Sequence, residues 1–99
     1  MARDELNRLL EVLDPETRAR WEEYLAEIDD EVREKGPACV REHLDAALRH
    51  LLAVGWALHL CYSEDEARQL MAPIGDAASA VEFAKAALAE VPKKPEWSQ

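Results

Sequence analysis

The segment Leu51-Leu52-Ala53-Val54-Gly55-Trp56-Ala57-Leu58-His59-Leu60-Cys61-Tyr62 contains one imidazole and no acid or strong base. It continues a stretch whose apolar residues recur at helical spacing. Val40, Leu44, Ala47, Leu48 and Leu51 fall on one side there, and Glu42, Asp45 and Arg49 on the other. Together the two stretches predict one long helix from about Ala38 to Tyr62, roughly 37 Å long at about 1.5 Å per residue. Past His50 the polar face disappears. Trp56 and Leu60 occupy the side that Asp45 and Arg49 hold two turns earlier, so the second half of the helix needs apolar cover all round.

The other segments are helical too. Leu6, Leu9, Leu10 and Leu13 form a narrow stripe that predicts a first helix over about Arg3 to Leu13. Asp14-Pro15-Glu16 reads as a new start, with Asp14 as the N-cap and Pro15 in the first turn. The second helix runs to about Lys35, with Trp21, Tyr24, Leu25, Ile28 and Val32 on one face. Gly36-Pro37 ends it, Gly36 suiting a left-handed cap and Pro37 being unable to extend the ladder. Ser63-Glu64-Asp65-Glu66 is a capping box opening a fourth helix, which Pro73 and Gly75 should break or kink, with Asp76 capping a restart that ends near Val91. Gly is scarce and β-branched runs are missing, which argues against a sheet. The expectation is an all-α fold: a small bundle of four main helices, the last broken near Pro73, in a single domain over residues 1–91, with a flexible tail over 92–99.

The net charge of −9 is uneven. Residues 1–36 carry twelve acids against six bases, 63–91 carry six against two, and 37–62 balance at zero. Such a field repels nucleic acid and anionic membranes and would steer a basic protein partner inward. Leu51 to Ser63, the longest uncharged run, is too short to span a bilayer. Cys39 and Cys61 lie about 33 Å apart along the long helix at about 1.5 Å per residue, too far to pair in one chain. Free thiols and the lack of a signal peptide point to a cytoplasmic protein.

Candidate sites are few. Cys39 and His43 stand at i, i+4, but a zinc ion needs three or four ligands, and His50 lies roughly 10 Å further along the axis at about 1.5 Å per residue. These read as boundary residues. His59 sits alone in the apolar run and reads first as a core histidine bonded to a carbonyl or neighbouring side chain, next as a pH-sensitive interface or ligand contact. There is no glycine-rich phosphate loop and no G-x-S-x-G nucleophile turn, and both cysteines sit in apolar settings that favour the thiol.

Two carboxylate pairs carry the one enzymatic reading. Glu31-Val32-Arg33-Glu34 and Glu42-His43-Leu44-Asp45 supply E-x-x-E and E-x-x-D on neighbouring predicted helices, the kind of acid grouping that holds Mg²⁺ for phosphate chemistry. With Leu51-Leu52 beyond them and an acidic cap before the last helix, residues 22–72 resemble the helical nucleotide pyrophosphohydrolases of the MazG kind. That resemblance implies a magnesium-dependent cleavage of nucleoside triphosphates using Glu31, Glu34, Glu42 and Asp45. The seven-residue segment between the pairs is shorter than in that family, and Glu42 and Asp45 lie off the apolar stripe.

The reading that asks least of the residues is a non-enzymatic protein–protein interaction module, an adaptor, inhibitor or accessory factor, with no metal or cofactor. It homodimerises, or docks a partner, through Leu52, Trp56, His59 and Leu60. Magnesium-dependent nucleotide pyrophosphohydrolysis is the alternative, and a metal- or small-molecule-binding bundle the third.

Overall fold

A computed structural model describes residues 2–97. It is helical with no strand among the described residues: α1 (Ala2–Glu11), α2 (Pro15–Lys35), α3 (Ala38–Cys61), α4 (Glu64–Ala87) and a closing 3-10 turn (Pro95–Trp97). Contacts divide the chain into two compact units, Met1–Gly36 and Pro37–Gln99. Of the expected tail, residues 98 and 99 lie outside the described residues.

In the first unit, the start of α2 is set by side-chain chemistry. Asp14 is extended, Pro15 follows it in the first turn, and the Asp14 carboxylate accepts the Thr17 backbone N–H at 2.7 Å. That bond holds the Asp14 carboxyl below its ordinary range. Arg18 then reaches back over the corner. Its guanidinium donates to the carbonyls of Leu10 (3.2 Å), Glu11 (3.1 Å) and Leu13 (3.3 Å), at the helix end where carbonyls run short of intrahelical donors; the Leu10 carbonyl also accepts the Leu13 N–H at 3.2 Å. Nothing in α2 is fully buried. Trp21 and Ile28 are half-covered, and the indole Nε1 of Trp21 is buried with no acceptor.

α2 stops at Gly36, whose N–H donates to the Val32 carbonyl at 2.8 Å. Gly36 has φ 66° as the left-handed cap requires, but ψ −151°. The following Pro37 bars helical ψ at the residue before it, and this combination is open essentially to glycine alone.

The second unit is an antiparallel helix pair. α3 and α4 have 24 residues each and pack along their lengths. Ser63 is the extended N-cap of α4, and its hydroxyl accepts the Glu66 N–H at 3.3 Å. Half-buried Leu44, Leu48, Leu51 and Leu58 of α3 meet Ala67, Ile74, Ala78 and Val81 of α4. The break expected near Pro73 does not occur: α4 runs unbroken through Pro73, Gly75 and Asp76. Pro73 forfeits one ladder hydrogen bond, but the residues on either side of it lie against α3, and that packing holds the helix on line. An ion pair links the two helices. Lys85 Nζ bonds the Asp45 carboxylate at 2.5 Å.

Candidate functional site

A groove runs along one face of the α3–α4 pair. Its middle is an apolar hollow of about 360 Å³, walled by Leu52, Trp56 and His59 of α3 and by Met71, Ile74, Gly75 and Ala78 of α4. Through Leu52 and Ala78 it continues towards Leu48, Ser79 and Glu82. Through Gly55, His59 and Met71 it continues the other way to Tyr62, Glu64 and Arg68. The floor depends on Gly55. A Cβ on buried Gly55 would stand 3.2 Å from both Sδ and Cε of Met71, so its absence lets that thioether lie across α3. A Cβ on Gly75 would meet nothing within 4 Å, which marks Gly75 as an opening in the α4 wall.

Of the residues expected at an interface, Leu52, Trp56 and His59 line the hollow, and Leu60 follows one turn after Trp56 on α3. Leu52 is 71% exposed, Trp56 64% and Leu60 65%. They recur every four residues on α3 and so form one stripe beside the groove. His59 is exposed, which corrects its first reading as a core histidine. Its ring lies against the indole of Trp56, with centroids 5.2 Å apart and planes at 40°. α4 covers the adjacent flank of α3, where Leu48, Leu51 and buried Gly55 lie, and leaves the outer side of the stripe open. The α4 wall adds Met71, whose spacing with Ala67 and Leu70 already reads as inward-facing, and Gly75 and Ala78, which the sequence reading does not assign to a site. Gly75 reads in the sequence as part of a break.

Cys39 is buried and His43 exposed, and both Cys39 and Cys61 are free thiols. Glu31 and Glu34 belong to α2 in the first unit, Glu42 and Asp45 to α3 in the second. Asp45 is taken up by Lys85. That hydrogen bond is the main reason its carboxyl lies below the ordinary range, with the charges of Lys85, Arg41 and Arg49 adding to it against a partial desolvation. Among the described residues, no three His, Cys, Asp or Glu side chains come together as a metal site. No helix among them is long and apolar enough to cross a membrane.

Comparison with protein-family models, with curated proteins and with solved structures finds no match.

Proposed function

We propose that this chain is a protein–protein interaction module without catalytic activity, and that it self-associates through the α3 stripe of Leu52, Trp56 and Leu60 with His59 at its edge. One observation carries the reading: three large apolar side chains, each about two-thirds exposed, follow one another at four-residue spacing on α3, two of them lining an apolar groove. Scattered exposed leucines are ordinary on a protein surface; a contiguous stripe flanking a groove marks a docking face.

The magnitudes set what the stripe must supply. Burying the remaining surface of these three side chains is worth about 1–2 kcal/mol apiece. Two-fold symmetry doubles that, to a total comparable with the roughly 4–15 kcal/mol that association costs in lost freedom. These three side chains therefore offset the cost of association, and a micromolar dimer, about −8 kcal/mol net, needs further burial along the same face. The acidic surface admits a basic protein as a further partner, and two free thiols suit a reducing compartment such as the cytoplasm. Magnesium-dependent nucleotide pyrophosphohydrolysis, by contrast, has only the spacing of Glu31, Glu34, Glu42 and Asp45 in its support.

Sedimentation equilibrium at tens of micromolar tests the proposal. The expected result is a dimer that Trp56→Glu converts to monomer, with the helical circular dichroism unchanged. A wild-type chain monomeric throughout that range would overturn it.

A further inference from the structure

The order of residues along the stripe says more than that a second copy docks there. Leu52 and Leu60 stand four residues to either side of Trp56, so the apolar stripe reads the same in both directions. Its two ends differ in charge. Arg49, exposed, lies on the same side of α3 seven residues before Trp56. Eight residues after Trp56 the chain enters Glu64-Asp65-Glu66, the acidic first turn of α4. The side chains of Glu64 and Asp65 are 87% and 90% exposed. Arg68 is shared between them, at 3.2 Å from Glu64 and 3.8 Å from Asp65, so three acids face one base and the end stays negative. At the other end the nearest acid on the stripe, Asp45, is bonded to Lys85.

We infer that two copies dock antiparallel about a two-fold axis at Trp56, with Arg49 of each chain against the Glu64–Asp65 turn of the other. This rests on the self-association proposed above and specifies its geometry. A two-fold interface is self-complementary: whatever residue i meets, its partner meets in return. With the axis at Trp56, the two indoles meet at the centre and Leu52 of one chain faces Leu60 of the other. Arg49, about 10 Å from the axis at about 1.5 Å per residue, arrives at the opposite acidic turn. Both ends are then neutralised at once. A parallel pairing leaves the same leucines buried but sets Arg49 beside its own copy and the acidic turn beside its own copy, and like charges in register disfavour it. Since the apolar stripe is indifferent to direction, the charged ends decide the orientation.

Charge reversal tests this on the full chain, because Arg49 and Glu64 are surface residues. Dimer dissociation constants are measured by sedimentation for wild type, Arg49→Glu, Glu64→Arg and the double variant, with circular dichroism to confirm folding. In the antiparallel dimer each single variant sets like charges together twice and weakens association by about tenfold or more at low salt. The double variant exchanges the partners and returns to within a few-fold of wild type. A wild-type dimer whose single variants associate as strongly as wild type would overturn the antiparallel geometry while leaving self-association standing. A wild-type chain that stays monomeric removes both.

Discussion

Gly36 carries the most restrictive backbone position among the described residues. Its φ of 66° with ψ −151° belongs to a region that side chains with a Cβ avoid, and the constraint comes from two neighbours at once. The Val32 carbonyl calls the amide back to cap α2, while Pro37 forces ψ out of the helical range. Gly36→Ala should therefore lower the stability read by urea denaturation by about 1–3 kcal/mol. Asp45 has a chemical rather than a steric constraint. Its carboxyl titrates below the ordinary value of 3.8 because Lys85 bonds the charged form. A carboxyl depressed in the folded state adds stability above its unfolded value, and that stability is lost as pH falls through the folded value. The α3–α4 pair should accordingly weaken below about pH 4. Asp45→Asn should be less stable than wild type at pH 7 and lose less between pH 7 and pH 3, as urea midpoints at the two pH values would reveal.

At the scale of elements, α4 is the clearest case of packing overriding local preference. Proline in a helix interior costs about 3 kcal/mol relative to alanine, and Gly75 two residues on adds a further backbone-entropy penalty. Even so, the helix continues for fourteen residues past Pro73 to Ala87. The compensation lies on the α3 side, where Ala67 is buried and Ile74, Ala78 and Val81 are half-covered. Relieving the penalty should leave the packing in place, since Pro73 itself is exposed. Pro73→Ala is thus expected to raise the thermal midpoint and to increase helical ellipticity. No change in either would mean that α4 bends at Pro73 enough to satisfy the lost bond elsewhere. At the α1–α2 corner the mechanism is the reverse: one side chain, Arg18, donates to three carbonyls at the end of α1 and the turn after it.

For the whole molecule, the governing fact is how little of it is buried. Cys39 and Ala67 are the buried apolar side chains among the described residues, while Leu52, Trp56, Leu60 and Phe83 are exposed. A helix pair has a single internal interface, and chains of this size often obtain the rest of their core by associating. Stability of the second unit should then depend on protein concentration. The thermal midpoint is expected to rise with concentration in wild type and to lose that dependence in Trp56→Glu. The same association should weaken with added salt if the charged ends of the stripe orient it, because those pairs are exposed and screened.

The local signals were legible without coordinates. Asp14-Pro15, Gly36-Pro37 and Ser63-x-x-Glu66 place the helix boundaries because caps and breakers act within four residues. The long third helix follows from periodicity alone, and so does the excess of apolar surface on its second half. Where the sequence misled, the deciding energy came from elsewhere in the chain. Whether Pro73 ends a helix depends on what α4 packs against, and whether His59 is a core residue depends on which flank of α3 α4 occupies. The second wall of the groove, with Met71, Gly75 and Ala78, exists only because two distant segments lie side by side. Lys85 against Asp45 is a pairing across forty residues that no spacing rule anticipates. Local propensity determined the helices, and the choice of which apolar face to cover was tertiary, because burial is a property of neighbours.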